Sequence, residues 1–340
     1  MKTIEHSPLA ATMPAEAPQK SDSMLGGGFS LVHTVFDVSC ELPIQICENL
    51  RIQRPSAHQL DLLGNINGDS TRFGLPQVDF SRFVQEQMEL LNENGSSFPL
   101  TALPDDKHRF LVMAYSGSNL QPYKFEFIAA LATPPLEFVL QVGTSLPFGE
   151  GERTHWGASG ATHNMQLMPI WQTHALNEKY ASELKFLWKR SEELEQKFPW
   201  ISTAARMLWD LRTVPCGHLL YILGLFAVIE LALTHDPKDR ENGDSLTHQV
   251  STKVPLLTAR MEAPPSRTNF QHGLSEQKLW KKLYALRSTI AHGGKPDFES
   301  ANFRSLKRSD FATDYIHEVA RKILVQSLIE PTLVESLKQV

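Results

Sequence analysis

The chain has 340 residues, of which 41% are hydrophobic and 21% are charged, and its formal net charge is -5. This composition is typical of a globular protein of about two domains, and it argues against a disordered chain or a strongly basic nucleic-acid coat. Cys40, Cys47 and Cys216 form no CxxC pair, so we expect reduced thiols in a cytoplasmic protein with no metal site and no cofactor.

The first 28 residues are rich in Ser, Pro, Ala and Gly, which predicts a disordered tail without the apolar core of a signal peptide. Residues 29–150 then favour strands and predict a β-rich domain. The expected strands are 30–38, 109–115, 123–131 and 136–142. Turn residues occur at 65–69 and 94–97, and one helix is expected at 80–91. We find no glycine-rich phosphate loop or nucleophile elbow in this domain.

Residues 151–176 predict a connector between two domains. His155 and His163 lie in it, separated by Gly and Ser. A metal site is one interpretation of this pair, but no carboxylate or Cys lies at ligand spacing, which favours a surface connector.

Residues 177–335 change to a helical period and predict an antiparallel bundle. The expected helices are 177–197, 202–212, 217–235, 246–261, 275–292 and 309–328. Pro255 should kink the fourth of them or restart it. The longest apolar run, 219–233, is too short to span a membrane, so we expect a buried helix and no membrane partner. The predicted fold class is therefore α+β in two domains, with a β-rich module followed by an all-α bundle.

The helix at 275–292 contains the candidate site. Its apolar residues recur at spacings of three and four, and the glycines after His292 predict the helix end. Ser288 and His292 share a face. Arg287 points about 140° away from His292 around the helix, at about 100° per residue. Arg287 and His292 can therefore act on one phosphate only if the helix end is distorted or a second copy of the chain takes part.

Arg267 and His272 have the same spacing as Arg287 and His292. They lie in a segment rich in Pro, Ser and Thr without a helical period. We interpret this second pair as a chance match to the spacing and call it the decoy pair.

Three stretches carry a resemblance to a known family. They are 228–233 (VIELAL), 245–257 (SLTHQVSTKVPLL) and, most specific, 283–293 (LYALRSTIAHG). In their order and their residue patterns they resemble the Apea-like branch of the HEPN superfamily over roughly residues 177–330. The resemblance does not extend to residues 1–150.

This resemblance implies a helical bundle that dimerises and, in many members, a metal-independent endoribonuclease with an Arg-x4-6-His motif. Arg287 and His292 match that motif. Active members often carry Asn after the Arg, where this chain has Ser288, a weaker candidate for the site. The implied protein is a homodimer that cleaves RNA, a toxin-like or antiviral effector whose β-rich domain responds to an unidentified trigger or partner.

Two further functions compete with the ribonuclease. One is a non-catalytic module that binds RNA or a nucleotide, and the other is a structural dimerisation module. At the residue level, His292 is alternatively an ordinary helix-end histidine, and Arg287 alternatively forms a salt bridge. Glu230 is either the buried partner of Arg287 or a charge that reaches solvent.

Overall fold

The computed structural model describes residues 26–72, 80–87, 90–92, 95–97, 99–117, 120–158, 173–237 and 245–339. Most of the tail expected at 1–28 lies outside the described residues, as does His163. The strands are β1 (Gly27–Val32), β2 (Val35–Val38), β3 (Ile44–Cys47), β4 (Leu50–Gln53), β5 (Gln85–Gln87), β6 (Leu90–Asn92), β7 (Gly95–Ser97), β8 (Leu100–Ala102), β9 (Val112–Ser116), β10 (Phe138–Thr144), β11 (Arg153–Ala158) and β12 (Thr173–Leu176).

The helices begin in the strand-rich part and dominate after residue 177. They are α1 (Ala57–Arg72), α2 (Ser81–Val84), α3 (Leu120–Ala129), α4 (Glu178–Leu194), α5 (Pro199–Asp210), α6 (Leu219–Leu233), α7 (Leu246–Thr258), α8 (Glu276–Ala291), α9 (Ser309–Ile329) and α10 (Pro331–Gln339). The prediction of an α+β fold with a strand-rich part before a helical part is confirmed.

Six strands form one antiparallel sheet in the order β11-β10-β1-β9-β4-β3. Both faces of the sheet are covered. Val112 and Ala114 pack in a cluster with Leu63 of α1, whereas Met113 and Tyr115 of the same strand join a cluster with the helical part. A strand that is buried on both faces needs apolar residues at every position, which explains the continuous apolar run at 110–115.

The strand-rich part and the helical bundle share a hydrophobic core that continues from the sheet to the C-terminal helix α10. β2 pairs in parallel with β12, which leads directly into α4. Arg321 of α9 donates to the carbonyl of Leu131 at 2.7 Å and to the hydroxyl of Thr133 at 2.8 Å, just after α3. The buried guanidinium therefore fixes the bundle against the strand-rich part.

The predicted strand at 123–131 is wrong, because the structure has α3 there. Phe125, Glu126, Phe127, Ile128 and Ala129 are all buried, since this half of the helix lies between the sheet and the bundle. A helix that is buried on several sides has apolar residues on each of them, so its sequence no longer shows the alternation of one apolar and one polar face. A short buried helix then has the same apolar pattern as a strand.

Two further expectations in the strand-rich part are wrong. The turn expected at 65–69 lies inside α1, and the helix expected at 80–91 ends at Val84, where β5 begins. The start of α1 has a capping box: Ser56 N–H donates to Gln59 Oε1 at 2.9 Å, and Gln59 N–H donates to Ser56 Oγ at 3.2 Å. This capping box is visible in the sequence and indicates the start of α1, although the turn residues at 65–69 suggested that no helix continues there.

Pro255 lies within α7, which continues past it to Thr258 rather than restarting. Helix α10, which begins with Pro331 directly after α9, was not among the expected helices. Among the helices that the structure describes, none is long and apolar enough to cross a membrane.

Candidate functional site

Helix α8 has well-defined caps at both ends. The side chain of Ser275 accepts a hydrogen bond from Lys278 N–H at the N-terminus. At the other end Gly293 has φ +75 and donates to the carbonyl of Ile290 at 3.0 Å, while Gly294 donates to that of Thr289 at 2.8 Å. This pattern is the Schellman motif, in which glycine takes the left-handed conformation without a steric cost. His292 is therefore held at the helix C-cap, as the sequence predicted.

Arg287 forms an ion pair with Glu230 near the end of α6. Nη2 of Arg287 donates to Oε2 of Glu230 at 3.3 Å, and Nε lies 3.3 Å from Oε1, a charge contact that is poorly directed for a hydrogen bond. The Glu230 side chain is only 17% exposed and that of Arg287 is 30% exposed. Glu230 is thus the partner of Arg287, as one of the two interpretations expected.

Tyr284 completes this cluster. Its ring lies one helical turn before Arg287, and the guanidinium carbon is 5.5 Å from the ring centroid, within the range of a cation–π contact. Burial and the charge of Glu230 raise the pKa of Tyr284 to about 12, so the hydroxyl stays protonated at neutral pH. In the sequence Tyr284 is one of the apolar positions of this helix, and its spacing of three from Arg287 was a signal for contact.

The side chains of Arg287 and His292 do not meet within one chain. The two share no hydrogen bond or ion pair in the described structure, and α8 stays helical to Ala291. Arg287 is directed to α6, whereas His292 is exposed. Ser288 is half-buried, and its carbonyl accepts from His292 N–H at 3.1 Å. The helix end is not distorted, so a shared site needs a second copy of the chain.

Basic residues continue along the face of α8 that carries Ser288 and His292. Lys278 and Lys281 precede Ser288 at helical spacings and are both exposed, and Lys295 is exposed just beyond the cap. This face offers positive charge to a polyanion over most of the helix length.

The other candidate residues are not assembled into a site. Arg267 and His272 lie in an exposed segment without helix, which supports their interpretation as a decoy. His155 lies on β11. Within the described ranges no group of three or more His, Cys, Asp or Glu side chains is placed to hold a metal ion. The three cysteines are half-buried and free.

Comparison with protein-family models, with curated proteins and with solved structures finds no match to this chain. Its function must therefore be inferred from the residues and their geometry.

Proposed function

We propose that the chain is a metal-independent endoribonuclease of the HEPN type that acts as a homodimer. The observation that carries this proposal is the arrangement on α8. Arg287 is fixed by Glu230 and Tyr284, while His292 is exposed at the rigid end of the same helix. These are the two positions that match the family motif.

The chemistry of these residue types fits RNA cleavage. Histidine can take the proton of the 2′-hydroxyl or protonate the 5′ leaving oxygen near neutral pH. Arginine stabilises the negative charge that develops on the phosphorus oxygens. Nη1 of Arg287 makes no hydrogen bond with any residue that the structure describes, so it is available for a phosphate.

The proposed reaction needs two copies of the chain. One histidine serves as the base and the other as the acid. A two-fold axis near the 287–292 segments would place both histidines, one from each copy, in a common cleft. The exposed Lys281 and Lys295 would then lie beside that cleft and hold the RNA backbone.

The proposal predicts defined products. Attack of the 2′-oxygen on phosphorus leaves a 2′,3′-cyclic phosphate and a 5′-hydroxyl, and DNA is spared because it lacks the nucleophile. Incubation of the chain with 5′-labelled RNA and with DNA of the same sequence, both in EDTA, tests this. Cleaved DNA or 3′-hydroxyl ends on the RNA products would contradict it.

A second function is favoured by one observation. Glu230 already neutralises Arg287, and Arg287 does not contact His292 within the chain. That arrangement suits a non-catalytic module that holds RNA through the exposed lysines. Fluorescence anisotropy distinguishes the two functions, because this module would bind labelled RNA that stays intact over hours.

A further inference from the structure

A cavity of about 420 Å³ lies where the strand-rich part meets the helical bundle. Its walls come from α3, from the segment before β10, and from α5, α6 and α9. Phe127, Leu131, Leu208 and Trp209 supply apolar surface. None of the residues of the Arg287 cluster lines it, so it is separate from the candidate nuclease site.

The polar groups of the cavity are mostly hydrogen-bond acceptors. Glu137, Asp310 and Asp314 each contribute a carboxylate. Asp310 is ion-paired with Arg308, with Nε and Oδ1 3.0 Å apart, whereas Asp314 has no ion pair in the described structure. The carboxylate of Glu137 lies deeper, with a side chain that is 17% exposed.

Tyr221 is the strongest sign that the cavity holds a ligand. The residue is only 5% exposed and lines the cavity. Its hydroxyl makes no hydrogen bond with any described residue, yet it is not among the polar atoms that are sealed from solvent. The hydroxyl of this otherwise buried residue is thus accessible and free to bond a water molecule or a ligand.

Arg212 is the one Lys or Arg among the lining residues that the structure describes, and its guanidinium is buried beside Glu137 and the Trp209 ring. Its three guanidinium nitrogens are buried and make no hydrogen bond, while Nη2 lies 3.5 Å from Oε1 of Glu137. Arg212 therefore offsets part of the charge of Glu137 but presents no donor to a ligand. Because Arg308 pairs with Asp310 and Arg212 pairs with Glu137, the carboxylate of Asp314 is left in excess, which disfavours an anionic ligand.

Two of the uncharged polar groups, on His317 and Tyr221, also suit a ligand that donates hydrogen bonds. Burial, followed by the charges of Arg321 and Arg212, lowers the pKa of His317 to about 4, so its ring is neutral at pH 7 and can accept a hydrogen bond. Burial raises the pKa of Tyr221, which keeps its hydroxyl neutral. Neither group repels a cation.

We propose that this cavity binds an amphipathic primary amine, with its ammonium group beside Glu137 and Tyr221 and its apolar body against Trp209. An ammonium group has three N–H donors for these acceptors. The Trp209 ring, which Arg212 already contacts at 5.7 Å from the centroid, offers apolar surface to the body of the ligand. A purely apolar ligand would leave the Tyr221 hydroxyl unsatisfied, and an anion would face the carboxylates.

Three shape-matched ligands test the charge preference. Tryptamine, tryptophol and indole-3-acetate share the indole ring and differ in carrying an ammonium, a hydroxyl or a carboxylate. Isothermal titration of the full chain should show tryptamine binding at least tenfold more tightly than tryptophol, and no heat from indole-3-acetate. Equal binding of the three ligands, or no tryptamine binding at millimolar concentration, overturns the proposal.

Substitutions locate the binding. Glu137→Gln should weaken tryptamine binding by about tenfold or more, since a charge-assisted hydrogen bond is lost. Because that change also leaves Arg212 buried without its partner, Tyr221→Phe and Asp314→Asn serve as milder variants and should each weaken binding by about threefold to tenfold. Glu262→Gln, an exposed position outside the cavity, is the matched control. Wild-type affinity in both milder variants, measured on folded protein, also overturns the proposal.

Discussion

Arg287 on α8 and Glu230 on α6 are held together by two contacts of 3.3 Å. The pair connects the helix that carries the candidate site to the most apolar helix of the bundle. Such a pair orients the guanidinium before any RNA is present, and this preorganisation stabilises a transition state more effectively than a mobile arginine. Glu230 is thus a positioning residue in the proposed mechanism.

Glu230→Gln tests this role. The variant should lower the free energy of unfolding by only about 1 kcal/mol, because the Arg287 side chain remains partly solvated. It should lower RNA cleavage by about tenfold or more, because the guanidinium loses its fixed direction. Chemical denaturation and initial cleavage rates give the two values.

The matched control for this prediction is Glu330→Gln. Glu330 also forms a two-contact pair, with Arg260 at 2.6 and 2.7 Å, but that pair lies elsewhere on the surface. Its loss should leave cleavage unchanged. If both variants cleave RNA at the wild-type rate, Glu230 does not position Arg287 for catalysis.

The end of α8 illustrates what the sequence can predict. The glycines after His292 identified the helix end because their conformational freedom is a local property. The sequence left open whether Glu230 is the partner of Arg287 or a charge that reaches solvent, because contact between α6 and α8 depends on packing. The α3 helix could not be recognised at all, because its burial between sheet and bundle is a property of the assembled fold.

Gly293→Ala tests the cap. Gly293 has φ +75, where a Cβ costs about 1 kcal/mol, so the variant should lose roughly that free energy of unfolding. Gly217→Ala is the matched control, because a Cβ there meets nothing within 4 Å and its φ is not in the left-handed region. Urea denaturation of the two variants and the wild type measures the difference. An equal loss in both would mean that the Schellman motif does not account for the effect.

Two histidines with lowered pKa values, His33 and His317, predict a loss of stability in acid. His33 accepts from Nη1 of Arg82 at 2.6 Å, and burial, followed by the charges of Arg82 and Arg212, lowers its pKa to about 3. The pKa of His317 is lowered to about 4. Unfolded histidine titrates near 6.5, so below that pH the unfolded chain takes up protons that the folded chain does not. The free energy of unfolding should therefore fall between pH 6.5 and 4, by up to about 1.4 kcal/mol per pH unit for each histidine.

Denaturation curves at several pH values test this dependence. His33→Gln should flatten the decline, because Gln can still accept from Arg82 but does not titrate. His272→Gln, at an exposed histidine, should leave the decline unchanged. A slope that is unaffected by His33→Gln would show that other groups control acid stability.

The proposed site also predicts a homodimer through the face of α8 that carries Ser288 and His292. Light scattering at micromolar concentration should give twice the 38.3 kDa of one chain. Ser288→Arg should produce a monomer without cleavage activity, because it places two long cations in the interface. Thr203→Arg, at an exposed position on α5, should leave the dimer intact. A wild-type monomer that still cleaves RNA would contradict the shared site.

The most direct measurement is RNA cleavage in EDTA by the wild type and by Arg287→Ala, His292→Ala and a double variant at the decoy pair, Arg267→Ala/His272→Ala. The wild type and the decoy variant should cleave at equal rates, since the decoy residues are exposed outside any helix. Loss of His292 should reduce the rate by about 10²–10⁴, the range for a positioned proton-transfer group. Arg287→Ala should be comparably impaired, because the phosphate loses its guanidinium. Intact RNA with wild-type protein, or undiminished cleavage by His292→Ala, would contradict the proposed ribonuclease site.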